Sequence, residues 1–366
     1  MVNGLMAHTE RVQLGDRSYD ICIGSGLLNG LGEACRGVAP GDRMLLVTDD
    51  TVDRLYGQAV SDSLTQAGYE VVRLAVPAGE ESKSGTQLFR LYDRAIEMAL
   101  DRRACVMALG GGVVGDLAGF MAATYLRGLR FIQVPTTLLA MVDSAVGGKT
   151  GINLTQGKNL VGAFYQPALV VCDINVLQSL PPREFASGLA EVIKYGIIHD
   201  AAFFERLTGQ VHQLAQNADA LAGIVARSCA IKADVVRQDE RDGGLRNILN
   251  FGHTLGHALE KVAGYGTFLH GEAVGIGMAY AARVSARVHG LSTGEVDRIL
   301  ALVKAAGLPI HAPGFAWADL RHAMEVDKKG SSGQPRFVLA DRIGHVDWGC
   351  VVPEDVLEEA WHAGGQ

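Results

Sequence analysis

Residues 104–116 read ACVMALGGGVVGD. Ala104 to Leu109 is a short run of small and apolar residues without a charge, the pattern of a strand covered on both faces. The chain then turns through Gly110, Gly111 and Gly112 and opens a helical run at Val113, Val114, Gly115 and Asp116. Glycines at such a junction let a backbone approach a pyrophosphate closely, and the N–H groups at a helix N-terminus favour its charge. The spacing is not G-x-G-x-x-G followed by a ribose-binding acid about twenty residues on. Taken alone it reads equally well as a tight turn, so the neighbouring segments decide.

Those neighbours repeat the pattern. Met44–Thr48 (MLLVT), Glu70–Val76, Phe131–Val134 and Ala168–Asp173 (ALVVCD) read as strands, with helical runs such as Val60–Ala67 between them. Alternating strand and helix predicts an α/β fold with a doubly wound, Rossmann-like parallel sheet. Asp49, at a strand end, is placed where an acid can hold a ribose hydroxyl. AGEESK (78–83), with Glu80 and Lys83, and the pair Thr136–Thr137 follow other strand ends. Loops of this kind gather at the carboxyl edge of one parallel sheet. A bound nucleotide accounts for them better than a set of unrelated turns.

Pro181-Pro182 breaks this texture, and a Pro at the first helical turn is a common start. Helical pattern follows at Glu184–Ile197, Ala202–Thr208, Ala218–Gln238, Ile248–Val262, Glu272–His289 and Thr293–Ala306. FVLA at 337–340 is a short strand-like run. The expectation is a nucleotide-binding α/β domain over 1–180 and an all-α, or mainly α-helical, domain over 181–366. A chain of 366 residues is long enough for two full cores. A net charge of -7 argues against nonspecific nucleic-acid binding. MVNGLMAHTERVQ has no basic segment followed by an apolar one, and the longest apolar candidate, FIQVPTTLLAMV, is short and broken by Pro135. The six cysteines form no C-x-x-C pair and several sit in apolar runs. A cytoplasmic protein is expected.

A second cluster of chemistry lies at 246–270, RNILNFGHTLGHALEKVAGYGTFLH. Arg246, Asn250, His253 and His257 recur at spacings of four, three and four, so one continuous helix would align them in a stripe. His270 follows a short turn. Imidazoles beside an amide and a guanidinium suit a metal and an anionic ligand better than a core or a solvent face. A catalytic zinc takes three protein ligands and keeps an open position. His253, His257, His270, Glu191, Glu260 and Glu272 are the candidates, H-E-x-x-H is absent, and spacing leaves the choice open. Glu191 and Lys194 share a helix face. Lys232 lies on a face with Cys229 and Val236, where a buried lysine needs a counter-charge. VDSAVGGKTGINLTQGKNLVG (142–162), with Asp143, Lys149, Lys158 and Asn159, has the composition of a phosphate loop. It lacks the first Gly of G-x-x-x-x-G-K-[ST] and otherwise reads as a solvated, flexible loop.

Together GGGVVGDLAGFMAATYLRG, PTTLLAMVDSAVGGKTGINLTQGKN, LPPREFASGLAEVIKYG, KADVVRQDERDGGLRNILNFGHTLGHALE and HGEAVGIGM resemble the 3-dehydroquinate synthases from about Met44 to Val338. The resemblance implies a zinc (or cobalt) site of Glu191, His253 and His270, with His257 facing substrate. It implies substrate contacts from Asp143, Lys149, Asn159, Lys194, Lys232, Arg246, Asn250 and His257, and from one of Lys328 and Lys329 in the DKK segment. Arg127, in TYLRG, would reach a neighbouring subunit's site, which implies a homodimer. NAD would be held at Asp49, Glu80, Lys83, Gly111, Gly112, Val113, Gly115, Asp116, Thr136, Thr137, Lys149, Lys158, Val176, Leu177, Gln178 and Ser179. Ala145 stands where the family often has Ser. The implied reaction converts 3-deoxy-D-arabino-heptulosonate 7-phosphate into 3-dehydroquinate and phosphate, with NAD recycled, in aromatic amino acid biosynthesis. Another NAD- and zinc-dependent sugar-phosphate cyclase and a metal-dependent polyol dehydrogenase are the alternative readings.

Overall fold

A computed structural model describes residues 6–264, 266–327 and 334–365. Lys328 and Lys329 lie outside the described residues. The chain forms two compact units, one of residues 1–180 with 217–237 and one of 181–216 with 238–366.

The first unit is built on a seven-stranded sheet. Its strands are β1 (Met6–Val12), β2 (Tyr19–Gly24), β3 (Arg43–Asp49), β4 (Glu70–Val76), β5 (Cys105–Gly110) and β6 (Arg130–Pro135). After the hairpin β7 (Lys149–Leu154) and β8 (Gly157–Phe164) comes the last, β9 (Leu169–Asp173). The order across the sheet is β1-β2-β9-β6-β5-β3-β4. Each neighbouring pair from β2 to β4 is parallel, and β1 closes the edge antiparallel to β2. β5 is buried along its whole length, which is why its sequence reads as an unbroken apolar run. The chain leaves β3 for β4 on one side and returns to β5 on the other, so the carboxyl ends of β3 and β5 flank a topological switch point. Thr48 pairs with Leu109 there, placing Asp49 and the glycines after β5 side by side. The segment 142–162, read from its composition as a loop, is largely the antiparallel hairpin β7–β8, with Lys149 opposite Phe164.

The helix Ala218–Gln238 was expected in the second domain, yet residues 217–237 belong to the first unit. Its apolar face is the reason. Leu221, Ile224, Val225 and Cys229 are buried, and the Cys229 thiol donates to the Met141 carbonyl at 3.3 Å.

The second unit is mainly helical, with helices Pro182–Ile198, Ala201–Gln210, His253–Ala263, His270–Val288, Thr293–Ala305, Trp317–Asp327 and Glu354–His362. It is not all-α. FVLA begins strand β10 (Phe337–Arg342), which pairs antiparallel with β11 (His345–Cys350) through a turn at Gly344, where φ is +94°. The continuous helix expected over 248–262 is also broken. Leu245–Asn250 forms a 3-10 turn, the chain bends at Phe251 and Gly252, and the α-helix starts only at His253. Gly252 has φ +80°, and a side chain at Gly277 would meet its carbonyl oxygen at 1.9 Å. Two backbones therefore touch where the helix was expected to run on, and the left-handed turn that this contact needs ends the stripe of four residues.

Gly277→Ala should destabilise the protein by about 1–3 kcal/mol, since the added methyl has backbone, not a flexible side chain, in its path. Denaturant unfolding followed by circular dichroism measures this. A variant as stable as the parent would show that the two backbones can separate at no cost.

Candidate active site

The glycines after β5 lead into the helix Gly112–Thr124 with Gly111 at the N-cap, and no side chain caps its first turn. The N–H groups of that turn are thus left for a ligand, at the switch point where an anion is best placed. Beside it the Thr136 backbone donates to the Gly110 carbonyl at 2.9 Å, while the buried Thr136 hydroxyl has no partner. Thr137 turns inward to cap its own helical turn, accepting from the Ala140 N–H at 3.1 Å. Asp49 accepts from the Thr51 and Val52 backbone at 2.9 and 3.0 Å, which fixes its carboxylate at the end of β3.

Lys83 is buried and donates to Asp116 at 2.5 Å. Burial pushes the Asp116 carboxyl up to about 6 against the pull of the Lys83 charge. Asn153, which sequence reasoning passed over, ties this corner together. Its side-chain amide donates to Glu80 at 2.7 Å, its side-chain carbonyl accepts from the Asn159 N–H at 2.9 Å, and its own N–H donates to the Lys83 carbonyl at 2.8 Å. Only its place on the partly buried strand β7 marks it out in the sequence. Lys158 is half-buried on β8, and Lys149 and Asn159 are exposed on the hairpin. Of the segment Val176–Ser179, Val176 and Leu177 are buried as core, and Gln178 and Ser179 are exposed. The Tyr56 hydroxyl donates to Ser179 Oγ at 2.8 Å.

Lys232 finds its counter-charge within the same unit. Its ammonium donates to both the carbonyl and the carboxylate of Asp143, each at 2.5 Å. A lysine that is 5% exposed is stable there only with such a partner. Arg127 is exposed in a turn in which both Leu126 and Arg127 have positive φ, +50° and +68°.

In the second unit Glu191 is fully buried on the helix Pro182–Ile198, with Lys194 one turn on and paired to it. Neither Glu191 oxygen has a hydrogen-bond partner of ordinary geometry. His253 Nε2 lies 3.4 Å and His270 Nε2 3.8 Å from Glu191 Oε1. The three residues each offer a donor atom within 4.8 Å of the others. Burial alone would raise the Glu191 carboxyl, but the charge of Lys194, aided by the imidazoles, holds it well below the usual range. Burial and then the Lys194 charge lower His253 to about 4, so its imidazole is neutral at pH 7. The distal nitrogens are engaged elsewhere: His253 Nδ1 lies 3.2 Å from the Phe251 carbonyl and His270 Nδ1 3.4 Å from Glu260. Donation from both Nδ1–H groups leaves both Nε2 lone pairs aimed at Glu191. An ionised carboxylate and two imidazoles, each oriented through its Nδ1, are a ligand set for a borderline divalent cation.

His257, Glu260 and His270 also approach within ligand range of one another. That group is more exposed, and its Glu260 already has the orienting contact to His270. His270 itself is held by its helix start: the Gly271 N–H donates to Ser187 Oγ at 3.0 Å, and Glu272 accepts from Leu269 N–H while paired with Arg183. Glu272 is thus a structural acid, not a ligand. Arg246 is buried, with its guanidinium on the Glu240 carbonyl at 2.8 Å, whereas Asn250 and His257 are exposed. The second unit therefore brings Glu191, Lys194, His253 and His270 together and carries Arg246, Asn250 and His257 on neighbouring segments. The first unit carries the glycine turn, Lys83, Asp116, Asp143 and Lys232.

Residues 73–187 match the model of the 3-dehydroquinate synthase N-terminal family, and residues 188–330 match the 3-dehydroquinate synthase C-terminal family. The 3-dehydroquinate synthase of Pelobacter propionicus is 51% identical over 351 residues, 95% of this chain and 96% of that protein. Among solved structures, ValA, the 2-epi-5-epi-valiolone synthase of Streptomyces hygroscopicus subsp. jinggangensis with NAD+ and Zn2+ bound, is 29% identical. It superposes with a TM-score of 0.88 over 96% of this chain and 98% of that one. A 2-deoxy-scyllo-inosose synthase complexed with carbaglucose-6-phosphate, NAD+ and Co2+ is 26% identical, with a TM-score of 0.87 over 98% of this chain and 100% of that one. Two family models that together span most of the sequence, and half-identity across nearly its whole length, agree: the chain belongs to the 3-dehydroquinate synthase family.

Proposed function

We propose that this chain is a 3-dehydroquinate synthase, a lyase that converts 3-deoxy-D-arabino-heptulosonate 7-phosphate into 3-dehydroquinate and phosphate with NAD recycled. The observation that carries the reading is the trio Glu191, His253 and His270, whose donor atoms lie within 4.8 Å of one another around a fully buried, ionised Glu191 and a neutral His253. Bound NAD would take a hydride from the substrate and give it back, and a divalent zinc or cobalt ion would lower the pKa of the hydroxyl being oxidised. Glu191, His253 and His270 would hold the metal. The uncapped turn at Gly111–Val113 would take the NAD pyrophosphate, with Asp49 at a ribose and Glu80, Lys83, Asp116, Thr136, Thr137, Lys158 and Val176–Ser179 around the rest.

The chain's own groups then have distinct tasks. Lys194 keeps Glu191 ionised and directs its remaining N–H bonds to a substrate oxygen. Lys232 is held on Asp143, so its ammonium is fixed in position, and Lys149 with Asn159 presents donors on the hairpin. These groups and His257 are assigned to the phosphate end, where a proton must be handled as phosphate leaves. Arg246, whose guanidinium is set by Glu240, and Asn250 are assigned to the substrate carboxylate. Arg127 is assigned to a neighbouring subunit's site in a homodimer; its exposure at a turn, where its side chain is free to extend from the surface, supports that reach. The unpaired thiols of the buried cysteines accord with a reducing, cytoplasmic setting.

A single assay tests the reaction. The heptulosonate phosphate supplied with catalytic NAD should release one phosphate per carbocycle without accumulating NADH. Steady growth of NADH would instead mark a dehydrogenase, and turnover of sedoheptulose 7-phosphate or glucose 6-phosphate alone would mark another cyclase.

His253→Ala should lose bound metal and drop turnover by more than about 100-fold while retaining NAD affinity. Glu260→Gln should keep the metal but bind it about 10–100-fold more weakly, because the His270 tautomer is no longer fixed. Metal analysis and chelator competition read both. Unchanged metal affinity in either variant would contradict the assigned role. Arg127→Ala mixed with a His253→Ala chain should regain activity through hybrid dimers. If mixtures show only the sum of the two residual rates, each subunit's site is complete in itself.

A further inference from the structure

The helix Pro182–Ile198 and the first residue of His270–Val288 serve the metal trio, but further along that second helix lies a separate feature. Ile276, Tyr280 and Arg283 share one face at spacings of four and three, and they line a cavity of about 200 Å3. Ile310, Phe315 and Trp361 complete its apolar wall. Ile276 and Tyr280 are buried and the Tyr280 hydroxyl is spent on the Leu357 carbonyl at 3.1 Å, so the floor offers ring faces and methyl groups.

Among the described lining residues Arg283 carries the one permanent charge, beside the imidazoles of His311 and His362. Arg283 is half-buried, with its guanidinium against the backbone at Gly364. Among the described residues no acid pairs with it. Burial, and then the charge of Arg287, lower its pKa from the ordinary guanidinium value, the sign of a cation set in a poor solvent without compensation. Glu354, the acid whose charge reaches Tyr280, is already taken by the Trp317 indole and Arg321. An uncompensated guanidinium at the rim of an aromatic-walled cavity is stabilised by an anion whose body is apolar. A volume of about 200 Å3 exceeds the roughly 150 Å3 cavity that holds benzene, leaving space for a short carboxylate arm.

We propose that this cavity is a binding site for a small aromatic monocarboxylate, its ring on Tyr280, Phe315 and Trp361 and its carboxylate on Arg283. Phe315 packs against Phe268, two residues before His270, with ring centroids 6.1 Å apart. The cavity wall thus contacts the segment that leads into the helix His270–Val288.

The test uses the full chain with phenylacetate as probe and phenylacetamide as its neutral isostere, followed by calorimetry. Phenylacetate should bind saturably with a Kd on the order of 1 mM or below. Arg283→Met should weaken it at least about ten-fold, and phenylacetamide should bind the parent as weakly as phenylacetate binds the variant. Binding unchanged in Arg283→Met would place the probe elsewhere, including the substrate site, and overturn the proposal, as would the absence of saturable binding. Should Arg283→Met fail to fold, Trp361→Phe decides. Phenylacetate should perturb the parent's fluorescence more than that of Trp361→Phe, which loses the indole on the cavity wall and keeps Trp317, packed behind Tyr280, and Trp348; an equal response in both would overturn the site.

Discussion

Glu191 has no exposed surface, yet it is an anion. Desolvation of a lone carboxylate in that position would neutralise it, so the Lys194 ammonium one helical turn away is what makes the site possible. The same lysine acts on His253 in the same direction: its charge, added to burial, keeps the imidazole deprotonated and therefore neutral, with a lone pair available. One cation thereby sets the protonation of two donors at once.

That electrostatic arrangement requires three helices to meet with little between them. Gly252 and Gly277 let one backbone lie on another just ahead of His253, and a side chain at Gly271 would meet the Ser187 carbonyl oxygen at 2.0 Å. The packing that carries His253 and His270 toward Glu191 is thus a matter of absent side chains. Hydrogen bonds then fix orientation: Phe251 and Glu260 take the outer nitrogens, and the Arg183–Glu272 pair holds the helix start. A glycine whose neighbours are carbonyl oxygens tolerates no enlargement, which ties the chemistry of the site to the fit of its scaffold.

Much of this was legible in the sequence. The parallel strands from Arg43 to Asp173 were, because buried strands on both faces leave unbroken apolar runs such as Cys105–Gly110. The glycine turn at 110–112 and the presence of a metal-type cluster were legible for the same local reason. The stripe Arg246–Asn250–His253–His257 was misread as one helix, since a periodic pattern carries no sign that Gly252 must adopt a left-handed turn against Gly277. Lys232 was assigned to the wrong unit because a helix's amphipathic pattern says that it packs, not upon what. The hairpin β7–β8 looked like a loop because glycines and lysines dominate it, and its exposed outer strand leaves little apolar alternation to detect. Spacing could not separate six candidate ligands; distances bring Glu191, His253 and His270 into ligand range of one another, and His257, Glu260 and His270 likewise, while Glu272 is paired with Arg183.

The helix at 217–237 also bears on how this gene can be divided. The polypeptide passes between its two units at 180, at 216 and at 237, so neither is a single contiguous stretch. A fragment ending at Leu180 would leave Asp143 without Lys232 and strip the burial from Met141 and its surroundings, while the complementary fragment would expose Leu221, Ile224 and Val225 to water. Halves made by a cut at 180 are therefore expected to be insoluble apart and to recover only when co-produced. Recombination between related genes would keep its products intact only by exchanging both stretches of the first unit together.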